Sequence, residues 1–132
     1  MITGFEEQTK PLTDKERDVF LPLIIEGIQV RHGKENAITN KEIVSRLRER
    51  RGVKMSEARV RKIVNHIRCY DLVPCLIATS DGYYIAESEQ DLLDYEESLA
   101  GREDAIREVR MSIRRQRILK YHKNGELDLW RS

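Results

Sequence analysis

The sequence predicts a mainly helical α+β protein with one β-hairpin between its third and fourth helices. Two observations predict this class. Apolar residues recur at helical spacing in four stretches, each of which follows a capping residue. That spacing gives way to short apolar runs only at residues 72–78 and 83–86, which flank the turn sequence Thr79-Ser80-Asp81-Gly82. The chain has 132 residues, long enough for one domain with a real core.

The first two helices are predicted by capping boxes, in which a Thr and a Glu three residues later bond each other's backbone N–H groups. The pairs are Thr13 with Glu16 and Thr39 with Glu42. Pro22 falls inside the first helical pattern. Because proline lacks a backbone N–H, we expect a kink or a break there.

Between these two helices, residues 37–39 could form a short strand. The second helix is expected to end at Arg51-Gly52, because Gly is common just past a helix end.

The third helix follows the N-cap residue Ser56 and has two contrasting faces. Its apolar stripe is Val60, Ile63, Val64 and Ile67. Its predicted outward face carries Ala58, Arg59, Lys62, Asn65, His66 and Cys69, with Arg61 and Arg68 on a flank. Arg can bond guanine, Asn can bond adenine, and further cations can contact phosphate, so this face suits a DNA major groove. The alternative is the solvated face of an ordinary core helix.

Helix, helix, turn, helix and hairpin is the order of a winged helix-turn-helix domain, whose third helix reads double-stranded DNA. The candidate base contacts are Arg59, Lys62, Asn65 and His66. The other candidate DNA-binding residues are Lys41, Lys54, Ser56, Arg61 and Arg68. At the tip of the wing, Asp81 would repel phosphate, so we expect the wing to be short and structural.

A fourth helix, capped by Ser88, carries a seven-residue apolar repeat. The predicted seam is Leu92, Tyr95, Leu99, Ile106, Val109 and Ile113, interrupted at Arg102 and Gln116. Gly101 weakens the middle by ~1 kcal/mol relative to Ala, so the helix either continues to about Leu119 or breaks near Gly101. We expect the seam to pair two copies in a homodimer. Packing of the seam against the first helix is the alternative.

Three regions are therefore predicted. Residues 1–11 form a flexible arm, residues 12–87 form the winged helix-turn-helix domain, and residues 88–132 form a C-terminal helical extension.

The net charge of the whole chain does not indicate nucleic-acid binding, because 24 Lys and Arg residues nearly balance 23 Asp and Glu residues. The charges are segregated, however. Residues 50–68 include seven basic and one acidic residue, whereas residues 87–97 include six acidic and no basic residues. Such segregation can build one positive face on a nearly neutral protein.

Several classes of function are disfavoured. Cys69 and Cys75 do not form a CxxC motif, and no His lies at metal-ligand spacing, so no metal or cofactor is predicted. The sequence contains no phosphate loop, HExxH or GxSxG motif, so neither an enzyme nor a small-molecule substrate is expected. No apolar run is long enough for a membrane span, and the N-terminus does not read as a signal peptide. A reducing cytoplasm, that of a bacterial host cell, is the expected location.

Three segments together resemble small winged-helix proteins that bacteriophages and prophages encode. The segments are residues 31–39, residues 56–61 and residues 80–86 with the acidic helix after them. The resemblance covers roughly Thr13 to Ile113 and implies the winged-helix fold, a DNA partner and a role in transcriptional regulation or replication.

This chain departs from those proteins at two positions, with Asp71 where relatives often have Gly and Gly101 where they often have Ser. A protein-interaction module that does not bind DNA is the alternative function, because the net charge is near zero and the wing tip is acidic.

Overall fold

The computed structural model describes residues 8–122, which divide into two units between Leu92 and Leu93. The first element, α1, is π-helical over Glu16–Phe20 and α-helical over Leu21–Ile28. After the 3-10 turn Lys34–Asn36, the elements are α2 (Asn40–Arg51), α3 (Glu57–Cys69), β1 (Leu76–Thr79), β2 (Gly82–Ile85) and α4 (Glu89–Tyr121). The predicted class, mainly helical α+β with a hairpin before a long last helix, is confirmed. The arrangement is consistent with a winged helix-turn-helix.

The capping box that opens α1 is present. The Glu16 N–H donates to Thr13 Oγ1 over 3.2 Å, and the Thr13 N–H donates to Glu16 Oε1 over 2.9 Å. Pro22 does not break the helix. Instead a π-helical turn directly precedes it, and the Leu21 N–H reaches back five residues to the Glu16 carbonyl. We attribute the widened turn to Pro22, because its ring crowds the carbonyl four residues earlier.

The capping residues predicted for the two helices of the helix-turn-helix are present. Thr39 and Glu42 form the capping box of α2, and Gly52 ends that helix with a left-handed φ of 64°. Ser56 caps α3 by accepting a hydrogen bond of 3.2 Å from the Arg59 N–H. These caps hold the short turn between α2 and α3 at both ends.

The core of the first unit is centred on α3. Its apolar stripe is almost completely buried, with Val60, Ile63 and Ile67 each 0% exposed. The other fully buried side chains are Ile24, Ile28, Val64 and Ile77. Because α3 supplies four of these seven side chains, it lies at the centre of the core, and only one narrow stripe of its surface reaches solvent.

The hairpin is shorter than predicted. Strands β1 and β2 pair antiparallel with Thr79 opposite Gly82, so only Ser80 and Asp81 form the loop. The first strand was predicted over residues 72–78 but begins at Leu76, because the chain turns twice before it. Asp71 and Cys75 both have positive φ angles, 56° and 62°. Asp71 thus takes the left-handed conformation that Gly would adopt without strain.

The predicted short strand at residues 37–39 is reduced to one bridge, in which Ile38 and Tyr83 exchange two backbone hydrogen bonds. Gly82, beside this bridge, has a φ of 119°. A Cβ at this position would lie 2.5 Å from the Ile38 carbonyl oxygen, so only glycine fits. The wing is therefore held directly against the segment that leads into α2.

Helix α4 is continuous from Glu89 to Tyr121 and passes through Gly101 without a break. At 1.5 Å per residue it is about 50 Å long. The C-terminal half of its apolar seam is exposed, since Ile106, Val109 and Ile113 are 68%, 64% and 56% exposed, whereas Leu92, Tyr95 and Leu99 are half-buried. Among residues 8–122, no helix combines the length and hydropathy that a membrane span requires. Residues 1–7 of the predicted arm and residues 123–132 of the predicted extension lie outside the described residues.

Candidate nucleic-acid interface

The part of α3 that reaches solvent differs from the predicted outward face. Its exposed residues, which we term the α3 stripe, are Glu57, Ala58, Arg61, Arg68 and Cys69. Of the four predicted base contacts, Arg59, Asn65 and His66 are half-buried and Lys62 is buried. Arg61 and Arg68, predicted to lie on a flank, are therefore the basic side chains of the exposed surface.

The structure contradicts the outward placement predicted for Lys62. It was predicted to face DNA but is only 7% exposed, and its Nζ donates a hydrogen bond of 2.7 Å to Glu16 Oε1. The start of α1 packs over this side of α3, so the apolar stripe is not the only covered face. Lys62 therefore joins α1 to α3 and does not extend outward to DNA.

Arg59 is held in the same cluster. Its Nε donates a hydrogen bond of 2.9 Å to Glu16 Oε2, and its guanidinium lies 4.8 Å from the centre of the Phe20 ring. The side chain remains 36% exposed. A base contact from Arg59 would require its guanidinium to leave both partners, so the predicted role conflicts with the observed packing.

Glu16 is the residue that organises this cluster, and it is 2% exposed. Burial by itself would raise the pKa of its carboxyl group. Hydrogen bonds from the Lys62 ammonium, the Thr13 backbone and the Arg59 guanidinium outweigh burial and lower the pKa to about 2. The carboxylate is thus ionised at neutral pH and neutralises part of the positive charge of α3. Sequence reasoning recognised Glu16 only as a capping residue.

Asn65 and His66 also have partners within the chain. Asn65 Nδ2 donates a hydrogen bond of 3.3 Å to the Gln8 carbonyl. Gln8 belongs to the segment predicted to be a flexible arm, so at this residue the chain contacts α3. The His66 ring lies 4.5 Å from the Tyr70 ring, centre to centre. Asn65 can contact DNA only if the Gln8 segment moves away from it.

The helix-turn-helix is rich in basic residues. Between Lys41 and Arg68 there are ten basic and three acidic residues, a net charge of +7. Lys41, in the first turn of α2, and Lys54, in the turn before α3, are both exposed. Ser56 is exposed too, although its hydroxyl already accepts the capping bond. The charge is therefore concentrated on the two helices that would face DNA.

The wing tip carries its acidic residue next to a cation. Lys34 Nζ lies 3.5 Å from Asp81 Oδ2, and both side chains are mostly exposed. Sequence reasoning identified the acid but missed Lys34, which lies 47 positions earlier in the chain. With a two-residue loop and this pairing, the wing tip adds no net positive charge to the surface.

A groove of about 380 Å³ lies between α1 and α2. Its lining includes the core residues Ile24 and Ile43 together with Arg46 and Arg50. Nearby, the Arg31 Nε is buried without a hydrogen-bond partner. Within the described residues, no group of three or more His, Cys, Asp and Glu side chains could hold a metal ion.

Comparison of the chain with protein-family models, with curated proteins and with solved structures finds no match. The candidate interface therefore rests on the geometry and charge of α2, α3 and the wing.

Proposed function

We propose that this chain is a double-stranded DNA-binding protein of the winged helix-turn-helix type, in which the α3 stripe enters the major groove. Its role would be transcriptional regulation or replication for a phage or prophage, as the resemblance implies. The single observation that carries the proposal is the concentration of basic residues in the helix-turn-helix, a net charge of +7 over residues 41–68 that Glu16 lowers by one, with Arg61 and Arg68 on its exposed stripe.

The spacing of the two arginines suits a duplex. Arg61 and Arg68 lie seven residues apart, which is about 10 Å along a helix. Successive bases of one DNA strand are 3.4 Å apart, so the two side chains would reach positions about three base pairs apart. Asn65 lies between them along the helix and would add an adenine contact if the Gln8 segment is displaced.

The remaining basic residues would fix the position of the domain on DNA. Lys54, just before α3, and Lys41, in the first turn of α2, are exposed and would contact phosphate. Such contacts add affinity for any sequence, and they make that affinity depend on salt. We also propose that the protein binds as a homodimer through α4, because the seam residues Ile106, Val109 and Ile113 of that helix are exposed in the single chain.

Fluorescence anisotropy with a labelled random-sequence duplex tests the proposal, with titrations at about 50 and 200 mM salt. We expect the protein to bind the duplex at the lower salt, with an affinity at least about tenfold weaker at the higher salt. The affinity falls because several phosphate contacts release counterions. A folded protein that shows no binding at the lower salt would overturn the proposal.

A protein-interaction module is the second candidate function. Two observations favour it: three of the four predicted base contacts are engaged within the chain, and the groove between α1 and α2 combines apolar and arginine side chains. Such a groove suits an acidic amphipathic segment of a partner protein. In this case the anisotropy titration would show no duplex binding. The double variant Arg46→Glu/Arg50→Glu would then abolish binding of the partner.

A further inference from the structure

Helix α4 is divided into an acidic half and a basic half. Residues 89–105 include seven acidic residues and one basic residue, a net charge of −6. Residues 106–121 include six basic residues and one acidic residue, a net charge of +5. The dipole of the helix favours this order, but its influence falls off within the first and last turns. The acidic and basic residues are segregated over all 33 residues of α4, so the helix dipole does not account for the segregation.

We propose that α4 pairs with α4 of a second copy in antiparallel orientation, forming a two-stranded coiled coil. The inference rests on the proposed homodimer and adds its orientation. In an antiparallel pair the acidic half of each helix lies along the basic half of the other. In a parallel pair, acidic residues would lie along acidic residues and basic along basic, which is unfavourable over the whole length.

The seam selects the same orientation. Arg102 interrupts the apolar repeat at a position that a parallel pair would stack directly on its own copy. Two guanidinium groups would then meet in the middle of the interface, where they are least hydrated. Antiparallel pairing places each Arg102 opposite Ile106 of the other copy, so the long side chain can extend past the seam to solvent.

The repeat also selects a register. Antiparallel coiled coils set the first core position of one heptad against the second core position of the other helix. The register that overlaps almost the whole of α4 then pairs Leu99 with Val109 of the second copy and Tyr95 with Ile113 of the second copy. Leu92 lies opposite Gln116 of the second copy, and the twofold axis crosses the pair of helices at the level of Asp104, which itself faces away from the seam.

The residues that flank the seam are complementary in this register. Glu96 comes next to Arg110 of the second copy, and Glu89 comes next to Arg117 of the second copy, and the twofold axis repeats both pairs. The one like-charged contact is Glu103 with its own copy at the axis. A parallel pair would instead bring Asp91 next to Glu96 of the second copy.

Disulfide cross-linking tests the orientation in the full chain. Both native cysteines are exposed and free, so the background is Cys69→Ser/Cys75→Ser. One preparation carries Leu99→Cys and the other, with a tag of different mass, carries Val109→Cys. Under mild oxidation with diamide, we expect the mixture to form a mixed disulfide dimer. Each preparation alone should not cross-link, because two copies of residue 99 would be about 15 Å apart along the axis, beyond disulfide reach.

Each of the other possible outcomes contradicts a specific part of the proposal. Cross-linking of Leu99→Cys with itself, in a protein that sediments as a dimer, would overturn the antiparallel orientation and leave the homodimer standing. A monomer in sedimentation velocity would overturn the homodimer, and with it the orientation. A dimer that forms no disulfide in any preparation would overturn the proposed pairing of Leu99 with Val109 of the second copy. None of these outcomes depends on whether the protein binds DNA.

Charge reversal provides a second, independent readout. Glu96→Arg places an arginine next to Arg110 of the second copy, so we expect the dimer dissociation constant to rise by about tenfold. The exchanged variant Glu96→Arg/Arg110→Glu should recover most of that loss, because the pair is restored with its signs reversed. In a parallel pair, Glu96→Arg would remove a repulsion with Asp91 and tighten the dimer, which would contradict the proposal.

Discussion

Glu16 on α1 and Lys62 on α3 form a buried ion pair, with Lys62 Nζ 2.7 Å from Glu16 Oε1 and both residues less than 10% exposed. They are 46 residues apart in the chain. Arg59 contacts the other oxygen of the same carboxylate, so Glu16 bridges two cations of α3. The pair therefore fixes how α1 lies across α3 and which side of α3 is left exposed.

Removal of Glu16 is expected to destabilise the fold more than removal of Lys62. Glu16→Ala leaves the Lys62 ammonium buried without a counter-charge and should lower the free energy of unfolding by about 3 kcal/mol. The double variant Glu16→Ala/Lys62→Met should be more stable than Glu16→Ala alone, because no unpaired charge remains. Urea unfolding followed by circular dichroism compares the wild type, Glu16→Ala, Lys62→Met and the double variant.

Asp18→Ala provides the matched control for the loss of a carboxylate from α1. Asp18 is an exposed carboxylate of α1 that pairs with Arg17, so its loss should change stability by less than about 1 kcal/mol. If Glu16→Ala cost no more than Asp18→Ala, the ion pair would contribute nothing to stability.

Acid should weaken the fold through Glu16. Its pKa is about 2 in the folded state against 4.5 as the ordinary value, so the folded state binds fewer protons and is favoured above about pH 4.5. This contribution, up to about 3 kcal/mol, is lost as the pH falls from 4.5 towards 2. Urea unfolding of the wild type and of Glu16→Gln at several pH values measures it. We expect the two proteins to converge in stability as the pH falls, whereas a constant difference would assign the acid sensitivity to other groups.

Gly82→Ala should destabilise the wing. The added Cβ would lie 2.5 Å from the Ile38 carbonyl oxygen at a φ of 119°, so we expect a loss of about 2 kcal/mol in the free energy of unfolding. Gly27→Ala is the control, because a Cβ at Gly27 would have no neighbouring atom within 4 Å. This second substitution should leave stability unchanged or raise it. Equal effects of the two substitutions would contradict the close approach at the wing.

Gly101→Ala should strengthen α4. A Cβ at this position would likewise have no neighbouring atom within 4 Å, and alanine favours a helix by about 1 kcal/mol over glycine. Thermal unfolding monitored by far-ultraviolet circular dichroism should therefore show a higher midpoint for the helix. A lower midpoint would contradict the open space around Gly101.

Local sequence signals predicted the elements of this fold well. Capping residues such as Thr39 and Ser56 and the left-handed Gly52 act through bonds within a few residues, so their positions could be identified from the sequence alone. The start of β1 was missed because Asp71 and Cys75 adopt left-handed conformations that nothing in their side chains demands.

The interface was harder to predict because it depends on distant packing. A helical wheel sorts the residues of α3 by their own polarity, and it therefore assigned Lys62 to the outer face. It cannot show that α1 brings a carboxylate over that position. Arg61 and Arg68 were recognised as basic, yet their place on the exposed stripe follows only from what α1 and the Gln8 segment cover.

The central claim is that the exposed stripe of α3, through Arg61 and Arg68, binds duplex DNA. Its most direct test is the affinity of Arg61→Ala/Arg68→Ala for a random-sequence duplex at low salt, compared with that of Arg107→Ala/Arg114→Ala. The second variant removes the same charge from exposed positions of α4 that lie outside the seam. We predict at least about a tenfold loss of affinity for the first variant and less than about a twofold change for the second. Equal losses in the two variants, or no loss in the first, would contradict the claim.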